Sequence, residues 1–506
     1  MGQQYILAYD LGTTGNKAVL VDERCNLVAT AFSPYQTFFP FATAVEQDPW
    51  DWWNSVVNAT RQLLEKSHVN PREVQAISFS GQMMGCVPVS READPIGRGI
   101  IWADMRGSLE ASQLAARMGS ALLYQILGNR VNASYSAAKI LWIREHEPDR
   151  FRQAHKFLQP KDFIVARMTG NFVTDFSDAC GTNLFDITRL QWSDAILEAA
   201  ALDRHLLPEA YASTDVVGRL SDAVAAVLGL TGGTPVVIGG GDGACAAAGA
   251  GVINASDTYQ YLGSSSWVGT ASPVPLLDPT ARIFNWAHVV PGLYAPTGTM
   301  QAGGGSFQWL KSTLGIETEN GRSAYELMDE EADAGPAGAN GLIFLPYLMG
   351  ERSPVWNEKA RGAFIGLTMQ HSRSELIRAV MEGVAMNMKG ILDAFTDQIK
   401  VDEIRFIGGG AKSRVWAQIF ANIYGHRLRV PTVLDEATAL GAAVTGGVGV
   451  GLFADFDVVR RAIETDFVVT PDMDRHRAYR RLQVTYEEAY RALIGTFDQL
   501  STWAQG

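Results

Sequence analysis

The sequence predicts an α/β protein of two domains that face one another across a cleft, and three observations carry that reading. The chain has 506 residues, more than one ordinary hydrophobic core absorbs. Strand-like runs alternate with helix-compatible ones. A segment near the start, "AYDLGTTGNKAVL", is echoed at 259–270 as "YQYLGSSSWVGT", again a strand, a Leu-Gly-hydroxyl-hydroxyl turn and a second strand.

Tyr5 to Tyr9 reads as a buried strand, Gly12 to Gly15 as a tight turn and Lys17 to Val21 as the returning strand, so the first unit is a hairpin. Its turn offers an anion unhindered backbone N–H groups and two hydroxyls, and Asp10 is placed to hold a metal ion directly or through water. Asp48 before Pro49 puts a capping oxygen ahead of a proline at the first helical position. That predicts a helix through "WDWWNSVVNATRQLLEK", with Trp50, Trp52 and Trp53 as packing residues. "VQAISFSG" at 74–81, "TPVVIGGG" at 234–241 and "EIRFIGGG" at 403–410 read as strands, each followed by a helix-compatible stretch. The join between the halves falls near 243–256, where "GACAAAGAGVINAS" gathers small residues into a tight helix, giving domains at 1–246 and 247–506. Near the end, Tyr479, Leu482, Tyr486, Tyr490, Leu493, Phe497 and Leu500 recur at steps of three and four as one apolar face. That face is expected to cover the second domain; its other use would be the seam of a homodimer.

Composition narrows the class. With 47% hydrophobic and 19% charged residues the chain reads as a soluble globular enzyme, and a net charge of −12 argues against a nucleic-acid partner. The four cysteines form no CxxC pair, which suits reduced thiols. No apolar run approaches the roughly 18 residues of a membrane span and no basic leader precedes one, so no membrane partner and a cytoplasmic location are expected.

For chemistry, the chain lacks GxxxxGK[ST], HExxH and GxSxG. "GGGDGA" at 239–244 fits a relaxed dinucleotide fingerprint, but it places an acid where a pyrophosphate must approach, and no convincing acid ends a strand about 20 residues on. Asp242 is otherwise a carboxylate at a strand's end, beside glycines that admit a substrate. It can accept a hydroxyl proton, as phosphoryl transfer requires, or merely cap the following helix.

With those residues in view, the chain resembles the FGGY carbohydrate kinases of the actin-like, ribonuclease-H-like ATPase superfamily, and within them the xylulokinase branch. The likeness runs nearly the whole length: "DLGTTG" at 10, "EQDPWDWW" at 46, "SGQMMG" at 80, "IIWADMR" at 100, "LQPKDF" at 158, "FSDACGTNLFD" at 176, "GGGDGACAAAG" at 239, "LPYLMGERSP" at 345 and "GGGAKSRVW" at 408. Two signatures stand at full spacing, "SYSAAKILW" at 134–142 and "GAFIGLTMQHSRSELIRAVME" at 362–382. The resemblance implies two actin-like ATPase domains flanking a central cleft, ATP and Mg²⁺, and a sugar or polyol substrate. It implies Asp242 as catalytic base and Asp10 as the magnesium-associated aspartate. Thr13, Thr14 and Lys17 match the first phosphate hairpin, and Gly263, Ser264 and Ser265 the second. Gly304, Gln308, Gly409, Gly410 and Arg414 fall where the family holds adenosine; Met83, Met84, Trp102 and Asp104, with Asp242, fall where the first domain faces the sugar.

Two departures bear on the substrate. Where the branch usually reads Gln-Met-His-Gly, this chain has Met84 in place of His, and where it usually reads Asp-Asn after the glycines, Gly243 stands in place of Asn. Losing two polar contacts points toward a different sugar or polyol (ribulose, fuculose, gluconate, erythritol or glycerol type) or a relaxed pocket. The expectation is an ATP-dependent kinase for a ketopentose like xylulose. Its rival from another class is an actin-like ATP-dependent conformational switch, which shares the first hairpin but has no use for Asp242 beside a sugar-sized pocket.

Overall fold

The computed structural model describes residues 3–432 and 436–503. Apolar residues at every position of β1 (Tyr5–Leu11) except Asp10 bury that strand, which turns back into β2 (Gly15–Asp22) with Leu11 facing Asn16; β3 (Leu27–Pro34) continues the meander. β4 (Val74–Gly81) runs parallel to β1 on its other side and sets Ser80 opposite Asp10. β5 (Val216–Arg219) and β6 (Pro235–Val237) complete a sheet in the order β5-β6-β4-β1-β2-β3, and the short β7 (Gly240–Gly241) pairs with the end of β4.

The second sheet is built from β8 (Thr258–Leu262), β9 (Ser266–Thr270), β10 (Phe284–Ala287), β11 (Tyr294–Met300), β12 (Glu403–Ile407), β13 (Arg427–Pro431) and β14 (Thr465–Val469), in the order β10-β11-β9-β8-β12-β13-β14. β8 pairs antiparallel with β9 and parallel with β12, as β1 does with β2 and β4. The echo in the sequence is therefore a repeated topology.

Asp48 caps the helix Pro49–Ser67 by accepting from Trp50 N, and Trp52 lies fully buried beneath it. One expectation fails: no helix follows β4. Residues 82–86 instead form a tethered loop, in which Ser136 Oγ donates to Gly85 O (2.6 Å), Gln159 Oε1 accepts from Gly85 N (3.3 Å) and Lys139 Nζ donates to Met84 O (3.1 Å), before Val87–Val89 resumes as strand. Side chains take up polar groups that a helix would have paired internally.

The two halves interlock. The helix Ala437–Gly449, from the second half, packs on the helix Asp242–Gly249 and reaches the first sheet, where Ala439, Leu440 and Ala443 share a core with Ile6, Ala8 and Val19. The helices touch backbone to backbone: a Cβ on Gly249 would lie 1.7 Å from Ala437 O and one on Gly441 1.9 Å from Cys245 O, so the small residues at the join are a packing requirement. The long final helix, Met473–Trp503, lays Tyr479, Tyr486 and Phe497 into the core of the second lobe, while Leu500 is exposed.

Candidate functional site

Strand register brings the two candidate acids to one sheet edge. Ser80 pairs with Asp10 on one side and with Gly240 on the other, so those two are separated by about 9–10 Å, two strand spacings. Asp242 follows two residues beyond Gly240 as the first residue of its helix. Ser80 Oγ donates to Asp10 Oδ1 at 2.9 Å, and Gly243 N donates to Asp242 Oδ1 at 2.7 Å. Among the described residues the second carboxylate oxygen of each has no hydrogen-bond partner. Burial, then the charge of Asp10, pushes the Asp242 carboxyl up to about 7 against its bond from Gly243; burial likewise raises Asp10, opposed by Ser80 and by Lys17 across the hairpin. A carboxylate poised near neutrality, part-open to solvent, suits proton transfer. The helix's cap position is Gly241, so Asp242 is not its N-cap.

The strand that delivers Asp242 rests on buried charge. Gly241 N donates to Ser177 Oγ at 2.8 Å, and Ser177 Oγ donates to Asp175 Oδ2. Beneath them, Lys161 Nζ lies 2.6, 2.9 and 3.0 Å from carboxylate oxygens of Asp162, Asp175 and Asp178, all four side chains without exposed surface. Burial works against the Lys161 charge, but its three aspartate neighbours outweigh it and keep the ammonium protonated; burial also drives the Asp178 carboxyl well above its ordinary value, against the pull of Lys161. From the second lobe, Tyr259 OH donates to Gly243 O (3.3 Å) and accepts from Trp267 Nε1 (2.9 Å). Sequence reading missed Ser177 and Tyr259 as supports of Asp242. Ser177 lay in a quoted block, but only the fold shows what it touches.

The two turns present themselves differently. In the first, Thr13 is clamped from both ends, its carbonyl by Gln47 Nε2 (2.7 Å) and its hydroxyl by Trp102 Nε1 (3.0 Å), while Lys17 lies on β2 opposite Asp10. Thr14 O accepts from Tyr35 N at 3.3 Å. In the second, Gly263 O and Ser264 O accept from Gly304 N (2.8 Å) and Gly305 N (2.9 Å), which fastens the turn to the helix Gly304–Thr313; a Cβ on Gly304 would come within 2.5 Å of Gly263 O. Ser264 and Ser265 line a cleft of about 1030 Å³ together with Trp102. Gln308 is exposed on that same helix. Gly409 and Gly410 lie in the turn after β12, where Gly409 faces open space and Gly410 sits against Leu262; exposed Arg414 opens the next helix with its guanidinium 4.0 Å from the Phe467 ring.

On the first lobe, Met83 is buried with its thioether against Gly241, and Met84 is half-buried in a left-handed conformation (φ 63°). Asp104 does not face the cleft. Its side chain has no exposed surface, and its oxygens accept from Arg106 Nε (3.0 and 2.9 Å), Arg106 N (3.0 Å) and Val45 N (2.6 Å). A carboxylate so committed anchors the loop that carries Trp102, which corrects its expected contact with the sugar.

Residues 5–249 match the N-terminal domain, and residues 259–450 the C-terminal domain, of the FGGY family of carbohydrate kinases. The chain is 32% identical over 489 residues to xylulose kinase of Bacillus subtilis, covering 96% of this chain and 97% of that protein. Solved structures of gluconate kinase and of ligand-bound xylulose kinase from Lactobacillus acidophilus each superpose with a TM-score of 0.92, at 27% and 28% identity, covering 99% and 98% of this chain and 100% of theirs.

Proposed function

The chain belongs to the FGGY family of carbohydrate kinases, and from that premise we propose that it transfers the γ-phosphate of ATP to a hydroxyl of a ketopentose, xylulose first among the candidates. The observation that carries the reading is Asp242, held at the mouth of β7 with one oxygen unpaired among the described residues and its carboxyl raised to about 7 by burial and then by the charge of Asp10.

The hydroxyl proton passes to Asp242 while the hydroxyl oxygen bonds to the γ-phosphorus and the bond to the bridging oxygen of ADP breaks. The turns at 12–14 and 263–265, one from each repeat, hold the triphosphate through backbone N–H groups and the hydroxyls of Thr13, Thr14, Ser264 and Ser265, with Lys17 adding charge. Adenosine lies along Gly304, Gln308, Gly409, Gly410 and Arg414, and the sugar against Met83, Met84 and Trp102. The division of labour follows the two halves, 1–246 for sugar and base and 247–506 for adenosine. Among the described residues no cluster of three His, Cys, Asp or Glu could hold a metal by itself, and Asp10 keeps one carboxylate oxygen unpaired. Asp10 would hold a magnesium ion there, and the ion would supply neutralisation of phosphate charge.

Met84 and Gly243 lie on the sugar side, so the sugar's identity is what experiment must fix. ADP release is measured with xylulose, ribulose, fuculose, gluconate, erythritol and glycerol. The proposal expects xylulose to give the highest kcat/KM. ADP release with gluconate or a polyol exceeding that with xylulose would reassign the substrate within the family, and release with none of them would remove the kinase reading.

A further inference from the structure

Arg352 is half-buried on the cleft wall, yet among the described residues its guanidinium has no hydrogen-bond acceptor and no ion pair. The contrast with other arginines of the molecule is sharp. Arg106 is bound to Asp104 and Glu46, Arg378 to Glu382 and Ala332 O, and Arg130, on the same cleft, to Ala281 O (2.9 Å) and Thr280 O (2.7 Å). The adjacent acid is engaged elsewhere: Glu351 Oε1 accepts from Gln301 N and from Arg352 N, both at 2.8 Å, and Oε2 from Asn387 Nδ2 at 3.0 Å. The Arg352 guanidinium faces the ring of Trp102, 5.9 Å away, and feels the charges of Glu351 and Glu358, neither of which reaches it as an ion pair.

A half-buried guanidinium that lines an open cleft without a protein acceptor among the described residues leaves its N–H donors to water or to a ligand, which describes a site whose acceptor arrives with the ligand. Burial does work against the Arg352 charge. Its surroundings identify the acceptor. Trp102, which the guanidinium faces, donates to Thr13 of the first turn, and Gln301, Ser264 and Ser265 of the second lobe line the same cleft, so Arg352 shares a cleft with the second turn and faces the ring that holds the first. Resting on the phosphoryl-transfer reading above, we infer that Arg352 contacts the phosphoryl group in flight, first as the γ-phosphate of ATP and then as the ester of the product. Among the described second-lobe residues that line this cleft it is the one cationic side chain, and its fork matches phosphate oxygens.

The test compares wild type with Arg352→Ala and Arg352→Lys. Wild-type turnover of the best sugar comes first; its absence would sink the kinase reading together with this one. Given wild-type turnover, Arg352→Ala is expected to lower kcat by at least about 10²-fold, as removal of one transition-state donor does. The sugar KM should stay within a few-fold, the sugar phosphate should bind at least tenfold more weakly, and added guanidinium ion should restore part of kcat. Because the side chain has no protein acceptor among the described residues, the melting temperature should not fall, and Arg352→Lys should keep intermediate activity. Near-normal kcat in Arg352→Ala would overturn the assignment, as would equal loss of sugar and sugar-phosphate binding without rescue. Selective loss of gluconate phosphorylation with xylulose turnover intact would overturn it too, making the oxyanion a substrate carboxylate.

Discussion

Asp242 shows how one residue's environment sets its role. Its carboxyl, ordinarily near 3.8, is pushed up to about 7 by burial and by Asp10, so the folded chain keeps a proton that the unfolded chain loses across that interval. The stability this group contributes is thus present below the ordinary value and is lost as pH rises toward 7. Asp242→Asn should therefore melt higher than wild type at pH 8, by a margin that shrinks toward pH 5, as scanning calorimetry would show. Because the base works ionised, wild-type kcat/KM should climb with pH and level off above about 7; a profile flat from pH 5 to 8 would contradict the assignment. One residue away, Ser177 holds Gly241 N, so Ser177→Ala should lower kcat about tenfold, one lost hydrogen bond's worth, with ATP affinity kept. At this scale the sequence marked Asp10 and Asp242 by their place after apolar strands. It could not show that Asp104 is consumed by Arg106 and Val45 N, or that Arg352 has no acceptor among the described residues, because side-chain direction, and the approach of a residue 59 positions away, appear only in the fold.

At the scale of elements, the hairpins were legible because a short apolar run and a Gly-hydroxyl turn are local signals. The helix Pro49–Ser67 was legible for the same reason, with cap and proline adjacent in sequence. The loop after β4 was not: nothing in "QMMGC" announces that Lys139, Ser136 and Gln159, more than fifty residues on, will hold it. The second turn supplies a test that belongs to this scale. A Cβ on Gly304 would press on Gly263 O, so Gly304→Ala should displace the turn and raise the KM for ATP about tenfold while leaving that for sugar unchanged. Equal ATP KM values would show that the turn does not bear on the nucleotide.

The whole molecule is a duplicated fold whose halves are not merely adjacent. The helix Ala437–Gly449 reaches back onto the first sheet, and its glycine contacts with the helix carrying Asp242 leave no room for side chains. Gly441→Val should accordingly lower the melting temperature of the entire chain in one transition, exceeding the 1–3 kcal/mol typical of overpacking. The arrangement gives Asp242 support from both lobes, with Tyr259 on Gly243 O and Ser177 on Gly241 N. The most direct measurement is sugar-phosphate formation from ATP and xylulose by wild type and by Asp242→Ala, with ATP binding followed in parallel. The account predicts one sugar phosphate per ADP from wild type, and from the variant unchanged ATP affinity with turnover reduced by at least ~10²-fold. Turnover by the variant within a few-fold of wild type would contradict it.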